Sequence, residues 1–292
     1  MKRYEASKPS RVTSIKVFEQ DIFVRRWPNE NAPALYLLHG WMDVSVSFQF
    51  IIDHLSKKWD IYAPDWPGFG MSPWWMKPYY FPDYYAVLDK IINALSPLKP
   101  IHLVGHSMGG NIACMYAGIR PAKMISVISL EGFGLKPTLP EQAPDRYGDW
   151  LDQLSEPRRM PSHADRAGFL KKLLVRHRSL TEEKANFLLP HLTLELHSDL
   201  GHAADPFHRI VNPILYKIEE AKETWKRIQC PVHWVYGAES ELAHSFMSDR
   251  YDWEDRISCF DLFTEHIVAD AGHMLHYDQP AAIAQIIDHS RS

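Results

Sequence analysis

The residues of this sequence best suited to chemistry are Gly105–Gly109, which read Gly-His-Ser-Met-Gly. They lie between Ile101–Val104, an apolar run typical of a strand, and a stretch from Gly110 onward that is typical of a buried helix. A Gly-x-Ser-x-Gly motif at such a junction predicts a nucleophile elbow, a strained turn that holds the serine hydroxyl above the sheet. The glycines are needed because strand and helix backbones nearly touch there. Ser107 is therefore the candidate nucleophile.

A serine hydroxyl needs a neighbouring base to take its proton, and histidine is a common choice. Among 16 histidines, His273 is the preferred base because it follows the last predicted strand, at the sheet edge toward which the elbow also points. His276, three residues later, is the alternative. His39 and His106 belong to motifs and are expected to support loop geometry. Others, such as His177, are interpreted as surface or capping residues.

Composition bounds the class of protein. The chain has 292 residues, 46% of them hydrophobic, and a net charge of −4, which gives no electrostatic case for binding nucleic acid or an anionic membrane. The polar start of the chain, the lack of a long apolar run and three cysteines without C-x-x-C spacing predict a cytoplasmic protein. No zinc motif and no phosphate-binding glycine loop occurs, so we expect neither metal nor cofactor. Oligomeric state is left open.

Strand-like and helix-like patterns alternate along most of the chain, which predicts an α/β fold with a mostly parallel central sheet flanked by helices. The predicted strands are Val12–Phe18, Ile22–Trp27, Ala34–Leu38, Asp60–Ala63, Ile101–Val104, Ile125–Leu130, Val232–Tyr236 and Ile267–Ala269. The predicted helices of this part are Val44–Ser56, Phe81–Leu95, Ser107–Arg120 and Gln279–His289.

Residues 135–227 interrupt this alternation. They show helical patterns at Asp165–Arg178, Thr181–Leu194 and Ile214–Lys226 and no convincing strand. We therefore predict a helical cap of residues 135–227, inserted between two strands of a core made of residues 1–134 and 228–292. A cap over the carboxyl edge of the sheet would exclude water and shape a pocket.

Four motifs occur in an order that resembles the α/β-hydrolase superfamily: His39–Trp41, Asp65–Ser72, the Ser107 elbow and Asp270–His273. The resemblance covers nearly the whole chain apart from the cap. Asp65–Ser72 and Leu130–Gly134 are similar to serine hydrolase-like proteins and to haloalkane dehalogenases. Relatives with dehalogenase or epoxide hydrolase activity use an aspartate nucleophile, so a serine at position 107 argues against those reactions.

The resemblance also implies an acid that orients His273. In many α/β-hydrolases the acid is the fourth residue of a Gly-x-x-Asp turn after the penultimate strand, where this chain has Ser240. Dehalogenase-like and serine hydrolase-like relatives can carry it after the preceding strand, where this chain has Glu131. Glu131 is the preferred acid, and Glu239 and Glu241 are the alternatives.

Two backbone N–H groups are expected to form an oxyanion hole. Met108 follows the nucleophile at a helix N-terminus, where free amides favour negative charge, and Trp41 lies on the neighbouring loop. Aromatic residues near the strand-following loops favour either an apolar substrate pocket or packing of the cap on the core. On the first interpretation Trp41, Trp74 and Phe133 are the predicted substrate contacts.

These features together predict a cofactor-independent serine hydrolase that cleaves carboxylic esters of small, apolar substrates through an acyl-enzyme. The same side chains are compatible with hydrolysis of a carbon–carbon bond, thioester, amide or lactone, or with perhydrolysis. A ligand-binding receptor of this fold is an alternative from another class, because a fold alone does not determine function.

Overall fold

The computed structural model describes residues 4–156, 160, 162–196 and 199–291. Its strands are β1 (Arg11–Val17), β2 (Gln20–Trp27), β3 (Ala34–Leu38), β4 (Asp60–Pro64), β5 (Ile101–His106), β6 (Met124–Leu130), β7 (Ser162–His163), β8 (Thr193–Leu196), β9 (Asp199–His202), β10 (Val232–Gly237) and β11 (Phe263–Val268). Its α-helices are α1 (Gln49–His54), α2 (Phe81–Leu95), α3 (Met108–Ile119), α4 (Ala143–Ser155), α5 (Arg166–Arg176), α6 (Glu182–Leu192), α7 (Ile218–Trp225), α8 (Glu241–Met247), α9 (Arg250–Ile257), α10 (Leu275–Asp278) and α11 (Pro280–His289).

The central sheet has eight strands in the order β1-β2-β4-β3-β5-β6-β10-β11. The pairs β1–β2 and β2–β4 are antiparallel, and every pair from β4 to β11 is parallel. This confirms the predicted α/β fold with a mostly parallel sheet. None of the described helices combines the length and apolar character that crossing a membrane requires.

Alternate side chains of the central strands pack on opposite faces of the sheet. In β3, Tyr36 and Leu38 join the core formed with α2, α3 and α7, whereas Leu35 and Leu37 join the core formed with α1 and α11. Because helices cover both faces, the central strands are continuously apolar rather than alternating. That pattern made them recognisable in the sequence.

Two predicted strand boundaries differ from the structure at the sheet edges. Phe18 lies in the β1–β2 turn, where it and Glu19 have φ values of 47° and 65°, as the twist of a tight hairpin requires. The last strand begins at Phe263, before the predicted start at Ile267. As the edge strand β11 is largely exposed, its first residues lack the apolar run by which buried strands are recognised.

The segment between β6 and β10 differs from the prediction in two ways. It contains a three-stranded antiparallel sheet in the order β7-β9-β8, where no strand was predicted. In addition, α7 packs on α3 so closely that a Cβ at Gly118 would lie 2.0 Å from the Thr224 carbonyl oxygen. The structure thus places α7 with the core, and the predicted cap boundary at residue 227 is too late. Residues 157–159, 161 and 197–198 of the predicted cap lie outside the described residues.

A buried carboxylate fastens α11 to the loop that follows α1. Asp288 accepts hydrogen bonds from the Ser56 N–H at 2.6 Å, the Ser56 hydroxyl at 2.7 Å, the Lys57 N–H at 3.1 Å and the Trp59 indole at 2.8 Å. Burial alone would raise the pKa of this carboxyl, but the hydrogen bonds from Ser56, Trp59 and Lys57 lower the pKa below its usual value of 3.8.

We expect Asp288→Asn to lower the free energy of unfolding by about 2 kcal/mol near neutral pH, because several donors lose a charged acceptor. Since the pKa is depressed in the folded state, this contribution is present above the unfolded-state pKa of 3.8 and is lost as the pH falls through the folded-state pKa. Chemical denaturation at neutral pH and near the lowest pH at which the protein folds would measure the difference. Asp261→Asn, at an exposed carboxylate, is the control; an equal loss at both pH values would contradict the assignment.

Candidate active site

The loops that follow five parallel strands meet at the carboxyl edge of the sheet, where open α/β folds form their binding crevices. Ser107 follows β5, Glu131 follows β6, and the Gly40–Trp41 turn follows β3. Ser240 comes after β10, and His273 lies on the loop after β11. The topology therefore brings together residues that are up to 234 positions apart, such as Tyr277 and Asp43.

Ser107 lies on a strained turn between β5 and α3. Its φ and ψ angles are 52° and −113°, a conformation that non-glycine residues rarely adopt. Close packing explains the flanking glycines. A Cβ at Gly105 would lie 2.1 Å from the Gly109 carbonyl oxygen, and one at Gly109 would lie 2.1 Å from the Leu38 carbonyl oxygen. The local geometry is that of a nucleophile elbow.

The Glu131 carboxylate is buried and contacts His273. Oε2 of Glu131 lies 3.2 Å from Nδ1 of His273 and accepts a hydrogen bond of 2.6 Å from the Ser240 hydroxyl. Oε1 accepts a hydrogen bond of 2.8 Å from the Gly237 N–H. Glu131 is only 3% exposed, so these donors compensate a charge that would otherwise be costly to bury.

The alternatives to this pair are placed differently. Glu239 and Glu241 are exposed, and neither has a hydrogen bond to His273 among the described residues. His276 is 0% exposed and points its Nε2 at Asp43. His273, by contrast, keeps 36% of its side chain accessible. The geometry thus favours His273 and Glu131 over the other candidates.

Ser107 and His273 line one cavity of about 530 Å³, within the range of small-molecule sites. Trp41, which is 49% exposed, lies at the same cavity, as do side chains of α5. His177 also lines it and meets the Tyr277 ring edge-on, with centroids 5.5 Å apart. His177 is at the same time the C-cap residue of α5, in agreement with its interpretation as a surface or capping residue.

Two predicted substrate contacts do not reach this cavity. Phe133 is 1% exposed and packs among the core aromatics Trp225, Trp234, Trp253, Phe260 and Phe263. Trp74 is half-buried outside the cavity lining. Both predictions are corrected, because an aromatic side chain on a strand-following loop can face the core as readily as the cleft. Nearby, the rings of Tyr79 and His208 are stacked with their centroids 3.8 Å apart. This contact joins the inserted segment to the core.

The backbone at the predicted oxyanion site lies close to the nucleophile. Met108 is the first residue of α3, and the first N–H groups of a helix have no acceptor within it. A Cβ at Gly40 would lie 3.3 Å from Cβ of Ser107, so the turn that carries Trp41 abuts the elbow directly. This placement is compatible with the predicted oxyanion role of both amides.

The two motif histidines, His39 and His106, have structural contacts. Nε2 of the buried His39 accepts a hydrogen bond of 3.0 Å from the Trp66 N–H, and its Nδ1 lies 2.8 Å from the Gly40 carbonyl oxygen. Nε2 of His106 donates to the His273 carbonyl oxygen at 2.7 Å. Burial lowers the pKa of both imidazoles, so they are neutral at physiological pH.

A buried polar network lies behind the site and was missed by sequence reasoning. Asp43 accepts hydrogen bonds from His276 at 3.1 Å, Tyr277 at 3.1 Å and Ser47 at 2.9 Å. Burial acts to raise the pKa of Asp43, but the hydrogen bond and charge of His276 lower it below its usual range. Asp43, His106 and His276 each offer a donor atom within 4.8 Å of the others, which is the one described group with the composition of a metal site.

Backbone strain also marks this edge of the sheet. Of the non-glycine residues with positive φ, Met42, Ser107, Glu131 and Asp270 all lie on loops that follow β3, β5, β6 or β11. Such conformations cost about 1–3 kcal/mol each and persist where the surrounding structure enforces them. Only the strain at Ser107 carried a sequence signal, in its flanking glycines.

A mostly parallel sheet with a strained serine elbow above its carboxyl edge defines a hydrolase of the α/β class. The sequence model of the alpha/beta hydrolase fold family matches residues 33–280. The chain belongs to this family.

Its similarity to individual proteins extends over most of its length. The chain is 26% identical to a serine hydrolase-like protein of Danio rerio, over 89% of this chain and 81% of that protein. It is 27% identical to a serine hydrolase-like protein of Dictyostelium discoideum, over 91% of this chain and 77% of that protein. A solved thioesterase domain from the curacin biosynthetic pathway has a TM-score of 0.85 and 25% identity, covering 96% of this chain and 99% of that domain.

The Asp43 network predicts a stability effect separate from catalysis. We expect Asp43→Asn to lower the free energy of unfolding by about 3 kcal/mol, because three buried donors lose a charged acceptor. Urea denaturation followed by circular dichroism measures the change. Asp21→Asn, an exposed carboxylate in the first hairpin, is the control. A loss no larger than that of the control would show that the network contributes little.

Proposed function

We propose that this chain is a serine hydrolase that cleaves carboxylic esters with a triad of Ser107, His273 and Glu131. One observation carries the proposal. A buried carboxylate contacts Nδ1 of a partly exposed histidine, which lines the same cavity as a serine on a strained elbow. This arrangement supports the proposal, because activation of a hydroxyl for attack on a carbonyl carbon requires such a base near the nucleophile.

In the proposed mechanism, His273 takes the proton of the Ser107 hydroxyl through Nε2 as the oxygen attacks the ester carbonyl. The negative charge on the tetrahedral intermediate is held by the N–H groups of Met108 and Trp41. His273 then passes the proton to the leaving alcohol, and an acyl-enzyme remains. A water molecule, deprotonated by the same imidazole, attacks the acyl carbon and releases the acid and the free Ser107 hydroxyl. Glu131 orients the ring and stabilises its charged form.

We further propose that the part of residues 135–227 that precedes α7 acts as a cap. Its helix α5 supplies one wall of the cavity, and a wall over the nucleophile limits the access of water. The mostly apolar lining suits small apolar acyl groups. Three unpaired, buried cysteines favour a reducing compartment such as the cytoplasm.

Thioester hydrolysis is the second candidate. It uses the same nucleophile, base and oxyanion contacts, and the thioesterase domain named above resembles this chain over nearly its full length. Oxygen and sulfur esters of one acyl group, compared on the same enzyme preparation, separate the two reactions.

We expect Ser107→Ala to abolish hydrolysis of p-nitrophenyl butyrate, with a loss in kcat of at least about a thousandfold, because no other serine or threonine lines the cavity among the described residues. The wild-type protein should also bind one equivalent of a fluorophosphonate probe, measured by intact mass, and the variant none. Labelling without turnover of any ester or thioester would favour a ligand-binding receptor instead. Full activity in the variant would overturn the proposal.

The acid is tested by comparing Glu131→Gln with Glu239→Gln. We expect the first to lower kcat by about 10³- to 10⁴-fold, because a neutral amide neither orients the imidazole nor stabilises its charge. Glu239 is exposed, so the second change should leave kcat within about twofold of wild type. Steady-state kinetics on one ester measures both. The reverse ranking would exclude Glu131 as the acid.

A further inference from the structure

Two positive side chains on α5 face the cavity. Lys172 and Arg176 both line it, one helical turn apart and on the same face of the helix as Phe169. Phe169 is 3% exposed and contacts the rings of His163 and His202, with centroids 5.1 Å and 4.8 Å away. The buried Phe169 therefore holds α5 in place, and Lys172 and Arg176 lie on the same helix face, at the cavity.

No carboxylate neutralises these two cations within the described part of the chain. Neither Lys172 nor Arg176 forms a salt bridge or a side-chain hydrogen bond there. The one acidic residue of the cavity lining, Asp43, is occupied by His276, Tyr277 and Ser47. The α5 wall therefore presents two cations to the cavity that have no ion-pair partner among the described residues.

Acids near α5 but outside the lining are also occupied. Asp165 caps the start of α5 by accepting a hydrogen bond from the Gly168 N–H at 2.7 Å. Asp278 accepts hydrogen bonds from the Ser179 hydroxyl and from the Gly272 N–H. Both carboxylates are thus committed to the backbone and to loops rather than to Lys172 or Arg176.

The histidines of the same wall provide hydrogen-bond donors but no positive charge. Burial, with the nearby His163, Arg176 and Lys172, lowers the pKa of His202 to about 4. Burial and Arg176 lower the pKa of His177 to about 4. Both rings are therefore neutral at physiological pH, and Lys172 and Arg176 supply the permanent charge.

We propose that the cavity selects substrates that carry an anionic group, a carboxylate or a phosphate, remote from the scissile bond. The inference rests on the proposed hydrolase function and specifies its substrate class. The anion binds Lys172 and Arg176, while the segment between anion and carbonyl contacts apolar side chains of the lining such as Leu173 and Met274. Arginine suits this role because its planar guanidinium binds either oxyanion in a bidentate manner.

Two positions for the anion are distinguishable by substrate design. If it belongs to the acyl group, p-nitrophenyl hemiglutarate should be preferred over p-nitrophenyl butyrate, which lacks the carboxylate. If it belongs to the leaving group, butyryl phosphopantetheine should be preferred over butyryl pantetheine, which lacks the phosphate. The members of each pair differ by one anionic group, and the ratio of kcat/KM within a pair reports selectivity.

We expect the double variant Lys172→Met/Arg176→Met to lower this ratio by about ten- to a hundredfold for one of the two pairs, because hydrogen bonds to a charged group are lost. The neutral member of that pair should keep its kcat within about twofold, since neither side chain belongs to the triad. Lys171→Met is the matched control, because Lys171 is exposed on the adjacent, non-lining position of α5. Its ratio should equal that of wild type.

An unchanged ratio for both pairs in the double variant, or a wild-type enzyme that prefers both neutral substrates, would overturn the inference. In either case hydrolysis of the neutral esters by wild type, and its loss in Ser107→Ala, would leave the proposed function intact. Failure of the wild-type protein to hydrolyse any of the four substrates would instead count against the hydrolase proposal itself.

Discussion

The arrangement of the site depends on the contacts that the Glu131 carboxylate makes. This carboxylate lies at the end of β6 and accepts hydrogen bonds from Gly237, the last residue of β10, and from Ser240, which follows that strand. It also contacts His273, which follows β11. Three separate segments of the chain are thereby held around one buried charge. Such a charge is costly to bury without donors, and these contacts reduce that cost. His273 keeps 36% of its side chain accessible while it contacts the carboxylate.

More of the fold than of the candidate site could be predicted from local sequence signals. The buried strands and the Ser107 elbow follow from local rules, namely a continuous apolar run and glycines where two backbones touch. Glu131 could be named only because a resemblance pointed to the end of β6; its contact with His273 spans 142 residues and has no local signal. The prediction of Phe133 as a substrate contact was wrong, because residue type alone does not distinguish a side chain in the core from one at the cavity.

The inserted segment was the least predictable part. Thr193–Leu196 was expected to continue a helix in part, and it forms a strand because Asp199–His202 pairs with it. Strand formation of this kind depends on a partner more than on intrinsic preference. Lys172 and Arg176 resemble an ordinary solvated helix face in the sequence. That they line a cavity is known only from the structure, because residues distant in sequence form the rest of its lining.

Ser240 occupies the place where many members of this superfamily have an aspartate, and its hydroxyl reaches the same Glu131 oxygen that contacts His273. The two positions at which relatives can carry the acid, 240 and 131, are therefore within hydrogen-bonding distance of each other. A carboxylate placed at position 240 would therefore lie close enough to Glu131 to share a proton with it, as paired acids do. The serine hydroxyl avoids that repulsion and donates a hydrogen bond to the Glu131 carboxylate instead.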